Sequence, residues 1–383
     1  MAADGLVLAV NSGSSSLKFG LFAERGGDEA VVLRGGADGI GQPDGKLRVE
    51  DGDGRVLLDE SYASSSEAEG SAQAEALAEC VRALLKFSHA APAAVGHRVV
   101  HGGPRLREHQ RITDELIRTL EAAVHFAPLH IPAAVELIRQ TEKLLPEAAQ
   151  FACFDTAFHS TMPESASMYA LPKEIRRRGV QRYGFHGLSY ESIVHRLGEK
   201  IPPCVVCAHL GSGASLVALH DGRSVDTSMG LTPTGGIPMG TRIGDLDPGV
   251  VIFLLRAGMT PDELETMFNR QSGLVAIAGE SDMRQLLERM ERGDREAALA
   301  IEIFVSSVRK LIGAYAAELG GLDLLVFTGG IGEHSALLRG RICERLEFLG
   351  VRRAERGEFS KVAVMASQEE AQIARHCRRL LRG

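Results

Sequence analysis

The sequence predicts an α/β protein built from two like halves. Three observations carry that expectation. Short apolar runs of strand length alternate with helical patterns along the 383 residues. A strand, Gly-Ser turn and strand, LVLAVNSGSSSLKFGLF at residues 6–22, recurs as CVVCAHLGSGASLVALH at 204–220, about half the chain later. Gly-rich turns follow apolar runs at 11–16, 211–214 and 329–332. A repeated hairpin-led α/β domain would leave a ligand cleft between the halves.

The elements follow in order. Leu6–Val10 and Leu17–Phe22 read as strands around the turn Asn11–Ser16. Gly and Asp between residues 26 and 54 separate short strands at Val31–Arg34 and Leu47–Glu50. Ala74–Phe87 has helical periodicity, and Ala94–His101 is a strand running into Gly102-Gly103. A helix starts at Pro132, a favourable first position, and runs to Leu144; Phe151–Phe154 is a strand ending at Asp155. The second cycle opens with strands Cys204–Leu210 and Ser215–His220, followed by the turn Asp221-Gly222. Thr260-Pro-Asp-Glu263 is a capping box, and Asp294–Leu319 is a long helix ended by Gly320-Gly321. Leu322–Thr328 is a strand, Gly329–Gly332 a turn, and a helix follows from Ser335.

Composition narrows the function. Hydrophobic residues make up 44% and charged residues 24%, a globular balance that excludes disorder and collagen-like repeats. A net charge of -7 disfavours a nucleic-acid partner. No apolar run reaches the length of a membrane span, and Met1–Val10 lacks the basic residue of a secretory signal, so no membrane partner is expected. The six cysteines are scattered, which fits a reducing cytoplasm. Cys204 and Cys207 have CxxC spacing, but they lie in an apolar strand and no second CxxC completes a zinc site. With 43 glycines and no tryptophan, backbone-rich phosphate sites are favoured over aromatic-lined pockets.

Neither G-x-x-x-x-G-K-[ST] nor a strand-linked G-x-G-x-x-G occurs, which excludes the two commonest nucleotide fingerprints. Three Gly-rich turns at strand ends, with Lys18 past the first, can instead turn backbone N–H groups toward phosphates. That pattern favours a nucleoside triphosphate.

Seven segments then carry a resemblance: AVNSGSSSLKF, GHRVVHGG, FAPLH, FDTAFHSTMP, YGFHG, SMGLTPTGGIPMGTRIGDLDP and FTGGIGEHS. In this order they resemble the acetate kinase family over nearly the whole chain. The resemblance implies two duplicated ribonuclease-H-like domains of the actin, sugar kinase and chaperone ATPase superfamily, with the active site in the interdomain cleft. It implies residues 1–155 plus 370–383 as one domain and 156–369 as the other, the latter forming a homodimer interface. The implied reaction is reversible transfer of the ATP γ-phosphoryl to acetate with Mg²⁺, Mn²⁺ being an alternative ion. Propionate or another short-chain acid is the alternative acceptor.

That chemistry suits the residue types. Phosphoryl transfer spreads negative charge, and a carboxylate acceptor is already anionic, so fixed cations are needed more than a base. By resemblance Arg98 holds the carboxylate and Arg242 the transferring phosphoryl, since a guanidinium matches both geometrically. His186 is the implied transition-state donor and Asp155 the implied catalytic acid residue. Asn11 and Glu369 match the Mg²⁺ ligands, with Glu370 adjacent. Ser14, Ser16 and Lys18 match the first phosphate loop; His209, Leu210, Gly211, Ser212 and Gly213 match the second. Asp282, Met283 and Arg284 match one side of the adenosine site; Gly330, Ile331, Gly332, Glu333 and His334 match the other. Val100, Leu129, Phe185 and Pro233 match the acceptor pocket, with His130 nearby. His97, His101 and His159 are expected in structural hydrogen bonds. The sequence departs from the family pattern at Ile131, Ala134, Leu188-Ser189-Tyr190, Ser212 and His334. None of these removes a proposed catalytic group. A regulatory ATPase of the same superfamily would not need paired arginines, and a sugar kinase would need a base for its neutral hydroxyl.

Overall fold

The structure, a computed structural model, describes residues 5–13, 16–40, 45–62, 69–88, 90–128, 130–354 and 358–383. Ser14 and Leu129 lie outside the described residues. The chain divides into two compact units, one of residues 1–157, 187–192 and 368–383, the other of 158–186 and 193–367.

In the first unit the strands are β1 Val7–Ser12, β2 Ser16–Arg25, β3 Asp28–Asp38, β4 Gly45–Asp51, β5 Val56–Tyr62, β6 Ala94–Val99, β7 Gln110–Arg111 and β8 Ala149–Phe154. They form one sheet in the order β5-β4-β3-β2-β1-β6-β8-β7. Strand alternation sends Val7 and Ala9 to one face and Leu8 and Val10 to the other. Leu8 and Val10 pack with Leu77 and Leu84 of the helix Glu69–Ser88 and with Leu137 of the helix Ile131–Leu144. Val7 and Ala9 pack with Ile373, Ala374 and Cys377 of the C-terminal helix Glu369–Arg382. Each buried Val, Leu or Ile among them contributes about 1.5–3 kcal/mol. Gly96 sets how closely that helix approaches: a β-carbon there would stand 2.3 Å from Ile373 Cγ2 and 2.5 Å from Cys377 Sγ.

The second unit carries β9 Cys204–Leu210, β10 Ala214–His220, β11 Arg223–Thr227, β12 Leu324–Thr328 and β13 Val362–Val364, in the order β11-β10-β9-β12-β13. Its pairing repeats the first unit: β9 pairs antiparallel with β10 and parallel with β12, as β1 pairs antiparallel with β2 and parallel with β6. The duplication read from two short hairpins therefore extends to five strands, the order β3-β2-β1-β6-β8 matching β11-β10-β9-β12-β13. Asp221 and Gly222, both at positive φ, close the β10–β11 hairpin. The capping box at Thr260 forms with both of its hydrogen bonds, and Asp294 caps the helix Arg295–Glu318 by accepting from Glu296 and Ala297 N–H. Residues three apart on a strand face opposite ways, which separates Cys204 from Cys207. All six cysteines carry free thiols.

One expected element differs. Gly329–Gly332 is not a turn but the start of a helix, Gly329–His334. Glu333 Oε1 accepts from Gly329 N–H at 3.0 Å, so a side chain one turn ahead satisfies the helix start. The strand expected over Ala94–His101 ends at Val99, and Asp155 N–H bonds to the Val99 carbonyl at 3.0 Å just beyond it.

Candidate functional site

The first unit gathers one set of charged groups at the carboxyl ends of its parallel strands. Arg98 stands near the end of β6, Asp155 directly follows β8, and Asn11 is the fifth residue of β1. Arg98 donates through Nε and Nη2 to Asp155 Oδ2 at 2.9 and 2.6 Å, and through Nη1 to Asn11 Oδ1 at 3.2 Å. Asn11 Nδ2 donates to Glu369 Oε2 at 2.9 Å and to Glu370 Oε1 at 2.8 Å. Both glutamates open the C-terminal helix, so the close packing allowed by Gly96 brings them to Asn11. Lys18 sits opposite Asn11 across the hairpin.

Burial governs these charges. It opposes the Arg98 cation, but Asp155 and Glu369 outweigh it and hold the guanidinium above its ordinary range. Asp155 goes the other way. Burial raises its proton affinity more than Arg98 lowers it, and Glu369 adds to the rise. Burial also raises Glu370, with Glu369 adding, against Asn11 and Lys18. Three carboxylates thus face one arginine and one lysine. Asp155 Oδ1 is buried and among the described residues has no hydrogen-bond partner. Hard oxygen donors with surplus negative charge and an unsatisfied carboxylate oxygen fit Mg²⁺. As placed, Asn11 turns its amide oxygen to Arg98, so the carboxylates are the stronger donors. Glu370 accepts from Asn11 as Glu369 does, so the residue beside the expected one reaches the same group. Sequence could not separate the two, because only helix phase decides which reaches Asn11, and both do.

The second unit holds another set. His186 begins the helix Gly187–Leu197 in the left-handed conformation, φ 58°, a costly one for a residue with a β-carbon. Its Nδ1 lies 2.9 Å from Ser215 Oγ, and its ring stacks on His209 at 4.2 Å. Gly213 sits where these groups converge. A β-carbon there would lie 3.2 Å from His186 Nε2 and 3.5 Å from Arg242 Nη1. Arg242 also donates to the Pro233 carbonyl at 3.1 Å. Its loop is tight: Met239 N–H bonds to Arg242 O, Leu274 N–H to Met239 O and Ser272 N–H to Thr241 O. His209 Nε2 faces Gly211 and Gly329, 3.6 and 3.1 Å from where their β-carbons would stand. Sequence reasoning missed Ser215. It lies opposite His209 in the β9–β10 register, but its partner His186 comes from a distant segment.

The remaining expected residues divide between the units. Val100 and His130 are half-buried in the first; Phe185 and Pro233 are buried in the second. Ser16 flanks the first turn, where Gly13 N–H bonds to its carbonyl at 2.8 Å. Leu210 is buried and Ser212 exposed at the second turn. Asp282 caps the helix Met283–Glu291 and pairs with exposed Arg284 at 2.7 Å, while Met283 is buried. Gly330 and His334 are exposed, Ile331 is half-buried, Gly332 is buried, and Glu333 accepts from Gly329 and Ser367 N–H. The structural histidines are paired: His97 with Gln150 at 2.7 Å, His101 with Gly103 N–H at 2.8 Å, and His159 with Ser224 at 2.8 Å.

Comparison with known proteins gives a consistent result. The sequence profile of the acetokinase family matches residues 6–375. The acetate kinase of Pseudarthrobacter chlorophenolicus is 45% identical over 352 residues, covering 90% of this chain and 87% of that one. The acetate kinase of Rhodopseudomonas palustris is 42% identical, with 99% of each chain covered. The crystal structure of Porphyromonas gingivalis acetate kinase matches with a TM-score of 0.83 at 34% identity, over 98% of this chain and 100% of that one. That of a propionate kinase from Francisella tularensis matches with a TM-score of 0.87 at 34% identity, over the same 98% and 100%.

Proposed function

The chain belongs to the acetokinase family, whose members are carboxyl-acceptor phosphotransferases, and on that premise we propose that it transfers the γ-phosphoryl of ATP reversibly to acetate. An acetate oxygen forms a bond to the γ-phosphorus as the bridging oxygen to the β-phosphate leaves, giving acetyl phosphate and ADP. The observation that carries this reading is the convergence of His186 Nε2 and Arg242 Nη1 over Gly213. Two donors aimed at one space left open by a glycine are what three equatorial phosphoryl oxygens require.

Each group then has a task. Arg242 neutralises charge on the transferring phosphoryl. Ser215, donating to His186 Nδ1, keeps the proton on Nε2 so that His186 donates there. Arg98 holds the acetate carboxylate, oriented by Asp155. By family resemblance Ser14, Ser16 and Lys18 and the segment His209–Gly213 are the candidates to receive the phosphates, and Asp282–Arg284 and Gly330–His334 the candidates to flank the adenosine. Asp155, Glu369 and Glu370, with Asn11 beside them, would hold Mg²⁺, which when bound supplies charge neutralisation for the β- and γ-phosphates. By family resemblance Val100, Leu129, Phe185 and Pro233 are the candidate residues for the acetate methyl group, with His130 a further candidate. One further methylene costs such a pocket only about 1–3 kcal/mol, so propionate is a second, poorer acceptor. Mn²⁺ can replace Mg²⁺ in an oxygen-donor site.

We also propose a homodimer formed through the second unit and a cytoplasmic location. The helix Pro248–Arg256 supports the first: Val250, Ile252, Phe253 and Leu255 are all exposed, Phe253 at 68%. Six free thiols support the second. Among the described residues no helix is long and apolar enough to cross a membrane. Acyl phosphate formation from ATP, Mg²⁺ and a series of short acids tests the function. Acetate should give the highest kcat/KM; no product from any acid would overturn the reading.

A further inference from the structure

One buried cluster takes no part in the chemistry above. His109, Glu191 and His376 gather in the first unit, with one ring nitrogen or carboxylate oxygen from each within 4.8 Å of the others. Glu191 Oε2 lies 2.6 Å from His376 Nε2, and Oε1 lies 3.3 Å from His109 Nε2. The two rings stand 3.9 Å apart. Two histidines and a carboxylate are also a common metal-ligand set.

Hydrogen bonding decides between the two uses. Phe154 N–H donates to His109 Nδ1 at 3.0 Å, so that nitrogen keeps its lone pair and the ring proton sits on Nε2. Arg379 Nη2 faces His376 Nδ1 at 3.3 Å, and an arginine can only donate. With Nδ1 facing that donor, the neutral ring carries its proton on Nε2, which lies 2.6 Å from Glu191 Oε2, its shorter contact, and 3.0 Å from Gln372 Nε2. Burial opposes the His109 cation and Glu191 favours it, the balance raising its pKa, but the Phe154 N–H on Nδ1 leaves no place for a second ring proton. Both neutral rings turn N–H groups toward Glu191, whereas a metal needs lone pairs there. The cluster is a carboxylate held by two donors.

Its connections reach the catalytic groups. His109 takes the N–H of Phe154, the residue before Asp155. Glu191 lies on the helix Gly187–Leu197, whose Gly187 N–H bonds to the Asp155 carbonyl at 2.9 Å. His376 lies on the helix that begins with Glu369 and Glu370. We propose that Glu191 is a positioning residue for the phosphoryl transfer: through two neutral histidines it ties the strand end bearing Asp155 to the helix bearing Glu369 and Glu370. The assignment rests on the function proposed above. Burial works against the Glu191 charge, yet its two N–H donors hold the carboxyl down at about 2. The anion therefore persists across the working pH range.

The test uses the full-length protein and the variants Glu191→Gln, His376→Gln and His376→Ala. A glutamine at 191 can accept from only one of the two N–H groups. Glu191→Gln and His376→Ala should each lower kcat for acetyl phosphate formation about 10- to 100-fold, the usual effect of a lost supporting contact. Metal-free ADP should bind all variants within about two-fold of the parent, because its proposed contacts lie elsewhere. His376→Gln keeps a donor to Glu191 and should recover most of the loss. Nitrogen NMR of the imidazoles should show both rings neutral, with Nδ1 bare. The proposal is overturned by an unchanged kcat in folded Glu191→Gln, or by equal loss in His376→Gln and His376→Ala. An Nδ1–H or imidazolium form, or stoichiometric Zn²⁺ binding abolished by His376→Ala, also overturns it. Should Glu191→Gln not fold, the His376 pair and the tautomer spectra decide. A parent protein making no acyl phosphate sinks the functional reading instead. The clamp is then judged by ATP hydrolysis turnover in the same variants.

Discussion

Asn11 is a small residue with a large share of the first unit's charge balance. Its amide spans Arg98 on one side and two glutamates on the other. Because both glutamates reach it, Glu369→Gln and Glu370→Gln should each raise the Mg²⁺ concentration for half-maximal activity by about 10- to 100-fold. An effect confined to one of them, measured by Mg²⁺ titration of the rate, would reduce the cation site to that residue. His97, next to Arg98, carries a separate consequence. Burial pushes its pKa down to about 4, against the hydrogen bond with Gln150. An unfolded histidine titrates near 6.5, so between these values the unfolded chain takes up a proton that the folded protein refuses. The His97 contribution is complete above about pH 6.5 and is lost as pH falls toward 4, by about 3 kcal/mol in total. Urea midpoints at descending pH should fall, and His97→Gln should flatten the slope; an unchanged slope contradicts this. At this scale the sequence was most legible where motifs name residues, as at Arg98, Asp155 and Asn11. It was blind to His109, Glu191 and His376, three isolated letters that only tertiary packing unites.

At the scale of elements, loops set Arg242, the arginine proposed to meet the transferring phosphoryl. Gly273, at φ 69°, lies against the turn holding Arg242: a β-carbon there would stand 2.1 Å from Met239 O and 2.6 Å from Arg242 O. Gly273→Ala should destabilise the protein by about 1–3 kcal/mol and lower kcat by displacing Arg242. Thermal unfolding together with steady-state kinetics checks both parts. Normal kcat in a destabilised variant would mean that the loop does not set the arginine. Elements with strong local signals read well from sequence: the Cys204–Leu210 strand, the Thr260 capping box, the Asp221-Gly222 turn and the long helix expected over Asp294–Leu319. Others had no such signal. β7 has two residues and β13 three, and both exist only because a neighbouring strand pairs with them. The Gly-rich stretch after β12 reads as a turn, yet Glu333 accepting from Gly329 N–H makes it a helix start.

The whole molecule repeats one plan, and the two copies differ in what their strand ends carry. The first unit presents carboxylates around Arg98; the second presents His186, His209 and Arg242 around glycines. Asn11 and His209 occupy matching places in the two hairpins, so one position carries an amide among carboxylates in one unit and an imidazole among glycines in the other. Assembly is tested at the same scale. Phe253→Asp should convert a dimer to a monomer in sedimentation experiments, since Phe253 is 68% exposed on a helix that also exposes Val250, Ile252 and Leu255. A parent protein that sediments as a monomer would contradict the dimer. The most direct test of the central claim is acyl phosphate production from ATP, Mg²⁺ and acetate by the parent protein beside Arg242→Ala. The account predicts robust acetyl phosphate formation and a loss of about 100- to 1000-fold or more in kcat for the variant. ATP hydrolysis without acyl phosphate from acetate or any short acid, or an Arg242→Ala variant as active as its parent, would contradict it.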